Sequence, residues 1–155
     1  MFKAKDYPIG RDLELLGYFV ERWSDGTNNH DWQALEALFT EDAVWDVGAP
    51  LSFTVQGGQQ IVALLREKMG PTEYVVQTPH AIIVKVQGST ATARSTIHEV
   101  CRFADGAGLE MTGTYFDDVV KVAQGWRFKR RTYRCTYLNP QPPAGQVFRN
   151  FKAPA

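Results

Sequence analysis

Residues 75–105 read VVQTPHAIIVKVQGSTATARSTIHEVCRFAD. Apolar and polar side chains alternate with a period of two on either side of Gly88-Ser89, and a Gly-containing pair between two such runs is a hairpin signal. The pattern continues through 109–123, LEMTGTYFDDVVKVA, and 126–138, WRFKRRTYRCTYL, separated by Asp105-Gly106-Ala107-Gly108 and Gln124-Gly125. Strands at 75–87, 90–105, 109–123 and 126–138 are therefore predicted to form an antiparallel meander. Strands of this length coil rather than lie flat.

Upstream the period becomes helical. Leu13, Leu16 and Val20, with Leu15, Phe19 and Trp23, form a wide apolar stripe over 11–23. Asp31 precedes Trp32, Leu35, Leu38 and Phe39, which marks a helix start whose carboxylate accepts backbone N–H groups. A short strand follows at 43–47, then a turn at Gly48-Ala49-Pro50 and a second strand through Phe53 and Val55. Ile61, Leu64, Leu65 and Met69 give a third helix, stopped by Gly70-Pro71. Helices first and a coiled sheet second predict an α+β fold, a cone with an apolar pocket inside. We place one domain at 1–139 and a Pro-rich tail at 140–155, beginning Pro-Gln-Pro-Pro after Asn139.

The 155 residues suffice for one hydrophobic core. Seventeen Lys+Arg balance 17 Asp+Glu, so no general electrostatic footprint points to nucleic acid. Cys101 and Cys135 lie in no metal-ligand or disulfide-framework spacing, and a reduced, cytoplasmic chain without metal or cofactor is expected. Met1 to Gly10 lacks the apolar core of a secretory signal. No apolar run approaches the roughly 20 residues of a membrane helix.

Several polar residues are placed toward the pocket. His80 shares its parity with Ile82, Val84 and Val86, which predicts an imidazole on the core side of its strand. There it is either a hydrogen-bonded core histidine or a general acid/base tuned near neutral pH. His98 shares a parity with Thr96 and Val100, against Ile97, Glu99 and Cys101, and neither face is cleanly apolar. Trp23, Trp45, Tyr115 and Trp126, with nine Phe, suit a flat hydrophobic ligand. Arg127, Lys129, Arg130, Arg131 and Arg134 make the last strand basic, and any that turned inward would hold an anion or a developing oxyanion.

The order of elements, with DWQALEALFTEDAVW at 31–45 and GWRFKRR at 125–131, resembles the SnoaL-like branch of the nuclear transport factor 2-like superfamily over nearly the whole chain. Within it, the similarity is to scytalone dehydratase, lindane dehydrochlorinase and bile-acid 7α-dehydratase. The resemblance implies that His80, in Gln77-Thr78-Pro79-His80, removes a proton from carbon, and that His98 is a second active-site histidine. Arg131, five residues after Trp126, falls where the dehydrochlorinase has its leaving-group arginine, with Arg130 replacing it if a bulge intervenes. The aspartate that orients the family's histidine falls on Asn28, or on Asp25 if 26–30 is a looped insertion. Asn can bond an imidazole but cannot stabilise its cation as a carboxylate does. The water-holding tyrosines of scytalone dehydratase align with Thr27 and Val47, which argues against scytalone as substrate. His30 is read as a surface residue before helix two. The tail, with Val147, Phe148 and Phe151, resembles segments that cover the pocket or reach a neighbouring subunit.

These readings predict a cofactor-independent lyase, dehydratase-like, or an isomerase. It acts on a small hydrophobic cyclic substrate, with His80, His98, Asn28 and Arg131 as the machinery and Tyr18, Asp25, Trp45 and Tyr115 around the substrate. The alternative is a non-catalytic small-molecule-binding or assembly domain using the same pocket; a ring-hydroxylating dioxygenase β subunit ranks last. One sheet face is left without helices, so self-association is expected, a trimer before a dimer.

Overall fold

The computed structural model describes residues 9–148, with side chains from Leu16 onward. Helices α1 (Ile9–Asn28), α2 (Trp32–Glu36) and α3 (Gly58–Met69) accompany strands β1 (Phe39–Val47), β2 (Phe53–Gln56), β3 (Thr72–Gln87), β4 (Thr90–Phe103), β5 (Gly108–Val122) and β6 (Gly125–Asn139). The predicted meander is present residue for residue within two or three positions. Leu13 and Leu15 of the predicted stripe have side chains outside the described residues.

Helix α1 continues past Trp23 to Asn28; in its last turns Thr27 Oγ1 donates to Trp23 O at 2.9 Å, and Gly26 lets Leu35 of α2 approach. An added Cβ at Gly26 would stand 2.8 Å from Leu35 Cγ. Asp31 caps α2 as predicted, accepting from Ala34 N at 3.0 Å. His30, expected on the surface, is partly buried: it stacks on Trp32, and its Nε2 lies 3.0 Å from Thr72 Oγ1.

The six strands form one sheet in the order β2-β1-β6-β5-β4-β3. All neighbours are antiparallel except β1 and β6, which run parallel through the pair Trp45 and Arg131. The helices cover the inner face. Trp23 of α1 meets Phe39, Trp45 and Tyr115 edge-on at 5.5–6.2 Å, and Phe19 lies 4.5 Å from Phe128. Leu16, Leu35, Ile61 and Phe128 are fully buried. On the outer face Tyr74, Val76, Ile83, Phe116 and Tyr137 remain exposed.

Irregularities in β3 and β6 decide which of the predicted site residues face inward. In β3 the register slips between His80 and Ile83, with Ala81 at φ 47°; an extra residue exchanges the faces of everything on one side of it. In β6 a slip around Lys129 brings Phe128 and Arg131 to the same inner face. The tail after Asn139 has no regular structure as far as Phe148, and Arg102 Nη1 donates to Pro143 O and Gly145 O at 2.9 and 2.8 Å. Phe148 is exposed; Phe151 lies outside the described residues.

Candidate active site

A cavity of about 320 Å³ opens between the inner face of the sheet and α3. Trp45 and Val47 of β1, Phe53 of β2, Leu65 and Met69 of α3, and Phe103 and Leu109 form its apolar walls, with Leu51 and the stem of Lys68 beside them. Two further groups in the lining carry chemistry, Glu99 of β4 and Tyr133 of β6.

Glu99 belongs to the inner row of β4, in which Ala91, Ala93, Ser95, Ile97 and Cys101 are all buried. Only 4% of it is exposed, and Gln77 Nε2 donates to its Oε2 at 2.5 Å. Burial pushes its carboxyl up to about 7, against the opposing pull of the Gln77 bond. A carboxyl with that pKa can take or give a proton at neutral pH. The thiol of Cys101 is driven the other way from reactivity, up to about 11, by burial and then by the charge of Glu99.

Gln77 is itself fixed. Asn28 Nδ2 donates to Gln77 O at 3.1 Å, and Gln77 N donates to Asn28 Oδ1 at 2.6 Å. Because β3 is an edge strand, the Asn28 amide supplies the donor and acceptor that a further strand would have supplied.

Tyr133 is 2% exposed, and its hydroxyl is buried without a hydrogen-bond partner among the described residues. Its ring reaches across β5 over Gly113, where an added Cβ would stand 2.3 Å from the phenol oxygen. Burial first, then Tyr115, Cys135 and Glu99, raise its pKa well above the phenol range.

The predicted site residues are scattered over both faces. His80 is exposed: inward positions run Val75, Gln77, Pro79 and then, past the bulge, Ile82, Val84 and Val86. The parity that joined His80 to Ile82 fails at Ala81. His98 also faces outward, 2.9 Å from Glu110 Oε1 and opposite Thr78 and Thr112. Asn28 binds the backbone of Gln77 instead of an imidazole. Asp25 is exposed and accepts from Asn29 Nδ2 at 3.0 Å, and Tyr18 is 63% exposed, so neither reaches the cavity.

Arg131 does turn inward, but into the core rather than the cavity. It is 1% exposed, donates to Asp117 Oδ1 and Oδ2 at 2.8 and 3.2 Å, and lies 3.9–4.7 Å from the ring centres of Tyr115, Phe128 and Trp23. Burial raises the Asp117 pKa, against the opposing pull of Arg131. Of the predicted substrate neighbours, Trp45 lines the cavity, and Tyr115 stands behind it, 5.0 Å from Tyr133 between ring centres.

Sequence reasoning passed over Glu99, Gln77 and Tyr133. A signal was present for each step of the error. Pro79 inside a strand points to an edge and a nearby bulge, and the row Ala91, Ala93, Ser95, Ile97, Cys101 marks Glu99 as the one charge on an otherwise small and apolar parity.

Among the described residues no helix is long and apolar enough to cross a membrane. Comparison by sequence with curated proteins gives no match. Among solved structures, one called "Putative Scytalone Dehydratase" from Novosphingobium aromaticivorans is 23% identical, with a TM-score of 0.75 over 88% of this chain and 95% of that one. A hexachlorocyclohexane dehydrochlorinase, LinA type 2, is 10% identical, with a TM-score of 0.78 over 91% and 96%. Kfla4162 from Kribbella flavida is 16% identical, with a TM-score of 0.76 over 83% and 93%. These likenesses establish a shared fold. The model of the SnoaL-like domain matches residues 12–132, and the chain belongs to that family.

Proposed function

We propose that the protein is a cofactor-independent lyase, dehydratase-like, or an isomerase, acting on a small hydrophobic cyclic molecule, and that Glu99 moves the proton. The observation that carries this reading is the Glu99 carboxyl, 4% exposed in an apolar cavity and held at a pKa of about 7. Its ionised form takes a proton from carbon, and its protonated form returns one to a departing hydroxyl or to another carbon. Similarity in fold to structures named as a dehydratase and a dehydrochlorinase supports elimination as the reaction class. His80, which the family resemblance puts in this role, faces away from the cavity, and the role passes to Glu99.

The test needs no natural substrate. In D2O the wild type is expected to speed deuterium uptake at the α-carbon of 2-tetralone, read by proton NMR, and Glu99→Gln to bring the rate back to that of buffer. Equal rates for wild type and variant would sink the proposal. Asn28, bonded to backbone where the family has its acid, favours the alternative of a pocket that binds without chemistry. In that case tetralone binds and no exchange is catalysed.

A further inference from the structure

Glu99 stands directly opposite Gln77 in the register of β3 with β4, within a paired run from Tyr74 to His80 that ends before the slip at Ala81. Side chains so paired have Cβ atoms about 4.5–5.5 Å apart, and here both point inward, at 4% and 6% exposure. Gln77 Nε2 donates to Glu99 Oε2 at 2.5 Å, and among the described residues this is the one hydrogen bond of the carboxyl. Gln77 Oε1 is buried with no partner. The side chain of Gln77 therefore spends its one bond on Glu99, and an N–H donor is best satisfied by a carboxylate, which only accepts.

No cation shares that task. The titratable groups around Glu99 are Cys101 on its own strand, Tyr115 of β5 and Tyr133 of β6, and burial raises all three, so that each is neutral near neutral pH. The guanidinium of Arg131 is taken by Asp117. Lys68 of α3 lines the cavity, but its ammonium is bonded to Glu67 at 2.9 Å, and the walls from β1 and β2 are apolar. From α1 comes Asn28, which does not titrate and binds the backbone of Gln77. What opposes burial at Glu99 is the Gln77 amide.

We propose that Gln77 is a positioning residue for the proton transfer: it holds Glu99 by Oε2, favours the ionised carboxyl, and leaves Oε1 to meet the C–H of the substrate. This rests on the reading of Glu99 as the base. In the step, the C–H bond breaks with its electron pair left on carbon, and the proton forms its new bond to Oε1. The amide acts through Glu99 alone.

Gln77→Met keeps the length and loses the amide, and because Asn28 bonds the backbone at this position, the strand edge is retained. Glu99 is followed by NMR of the labelled carboxyl carbon, identified as the glutamate signal that Glu99→Gln removes. Its midpoint, about 7 in the wild type, is expected to rise by about one pH unit in Gln77→Met, and the midpoint of 2-tetralone exchange to rise with it. At high pH, where the carboxyl is ionised in both proteins, exchange is expected to stay roughly tenfold below wild type, because the oxygen is no longer aimed. Gln77→Glu sets a second carboxyl beside the first and is expected to raise the midpoint further. A merely structural glutamine would change the urea midpoint and move none of these.

A readout on the wild type stands apart from any variant: the NMR signal of the Gln77 side-chain amide is expected to titrate with the same midpoint as the Glu99 carbon. An unmoved carbon midpoint in Gln77→Met, an undiminished exchange rate at high pH, or an amide signal that does not follow the carbon overturns the inference. If carbon and amide behave as expected and the wild type catalyses no exchange, it is the assignment of Glu99 as the base that falls, while the hold of Gln77 on its carboxyl stands.

Discussion

Asn28 and Gln77 are joined twice, amide to backbone, at 2.6 and 3.1 Å, and the side chain of the same Gln77 holds Glu99. A residue at the end of a helix thereby sets the position of a strand edge, and the strand sets the orientation of the carboxyl in the cavity. The two bonds also fix which end of the Asn28 amide points where, since one donates and the other accepts.

Asn28→Asp keeps the acceptor for Gln77 N and replaces the donor to Gln77 O with a second oxygen. The expected outcome is a loss of about 1–3 kcal/mol of stability from the unpaired carbonyl and the carboxylate placed beside it, read by urea denaturation. If the role of this position were to orient His80, the same substitution would restore the family's acid and raise turnover instead. A rise in 2-tetralone exchange would contradict the structure.

The Glu99 carboxyl has a folded pKa of about 7 against an ordinary value of 4.5. Between those values the folded state holds a proton that the unfolded state has lost, so stability is greatest below about 4.5 and declines as pH rises through about 7. The span corresponds to about 3 kcal/mol. Urea midpoints from pH 5 to pH 8 are expected to fall for wild type and to flatten in Glu99→Gln. Base catalysis has the opposite dependence, rising with pH through about 7, and a stability loss that levels off at the pH where the rate is half-maximal would tie both to this carboxyl.

Arg131 and Asp117 form a buried pair at 1% and 3% exposure. Arg131→Met alone leaves the Asp117 carboxylate without its partner and is expected to cost about 3–5 kcal/mol, whereas Arg131→Met with Asp117→Val removes both charges and recovers most of the loss. Thermal melts of the single and double variants check this. A single variant that folds normally and loses only activity would show that Arg131 serves the reaction and not the core.

Gly113→Ala places a methyl against the Tyr133 ring. We expect the phenol to be displaced, with a stability loss of about 1–3 kcal/mol from overpacking, read by urea denaturation. An unchanged urea midpoint would argue that the phenol is not held where the structure has it.

Self-association is proposed for the outer sheet face, where Tyr74, Val76, Ile83, Phe116 and Tyr137 are exposed. Light scattering is expected to give a trimer, and Phe116→Asp to shift it toward monomer. A monomer at all concentrations would remove the proposal.

How much of the site could be read from the chain depends on the length over which a pattern holds. Element types were legible because alternation over 13 or more residues, as in 126–138, outweighs any local exception. Asp31 announced its helix because a cap acts on its own next turn. His80 was misplaced because parity counting assumes an unbroken strand, and a single extra residue at Ala81 reverses it. The basic strand leaves open which of its arginines turns inward, and the partner of Arg131, Asp117, lies 14 residues away on another strand, so whether that arginine meets a substrate or a buried carboxylate is not contained in its own strand.

The sequence by itself determined the number and order of the helices, though not where α1 and α2 end, together with the four-stranded meander and the α+β plan, since each follows from local periodicity and turn chemistry. Only the tertiary structure decided which polar groups enter the cavity. Glu99 and Tyr133 come to one face through strand register and the slip at Lys129, and their properties come from burial. Both are sums over residues distant in the chain, and those sums exist only once the sheet has closed over them.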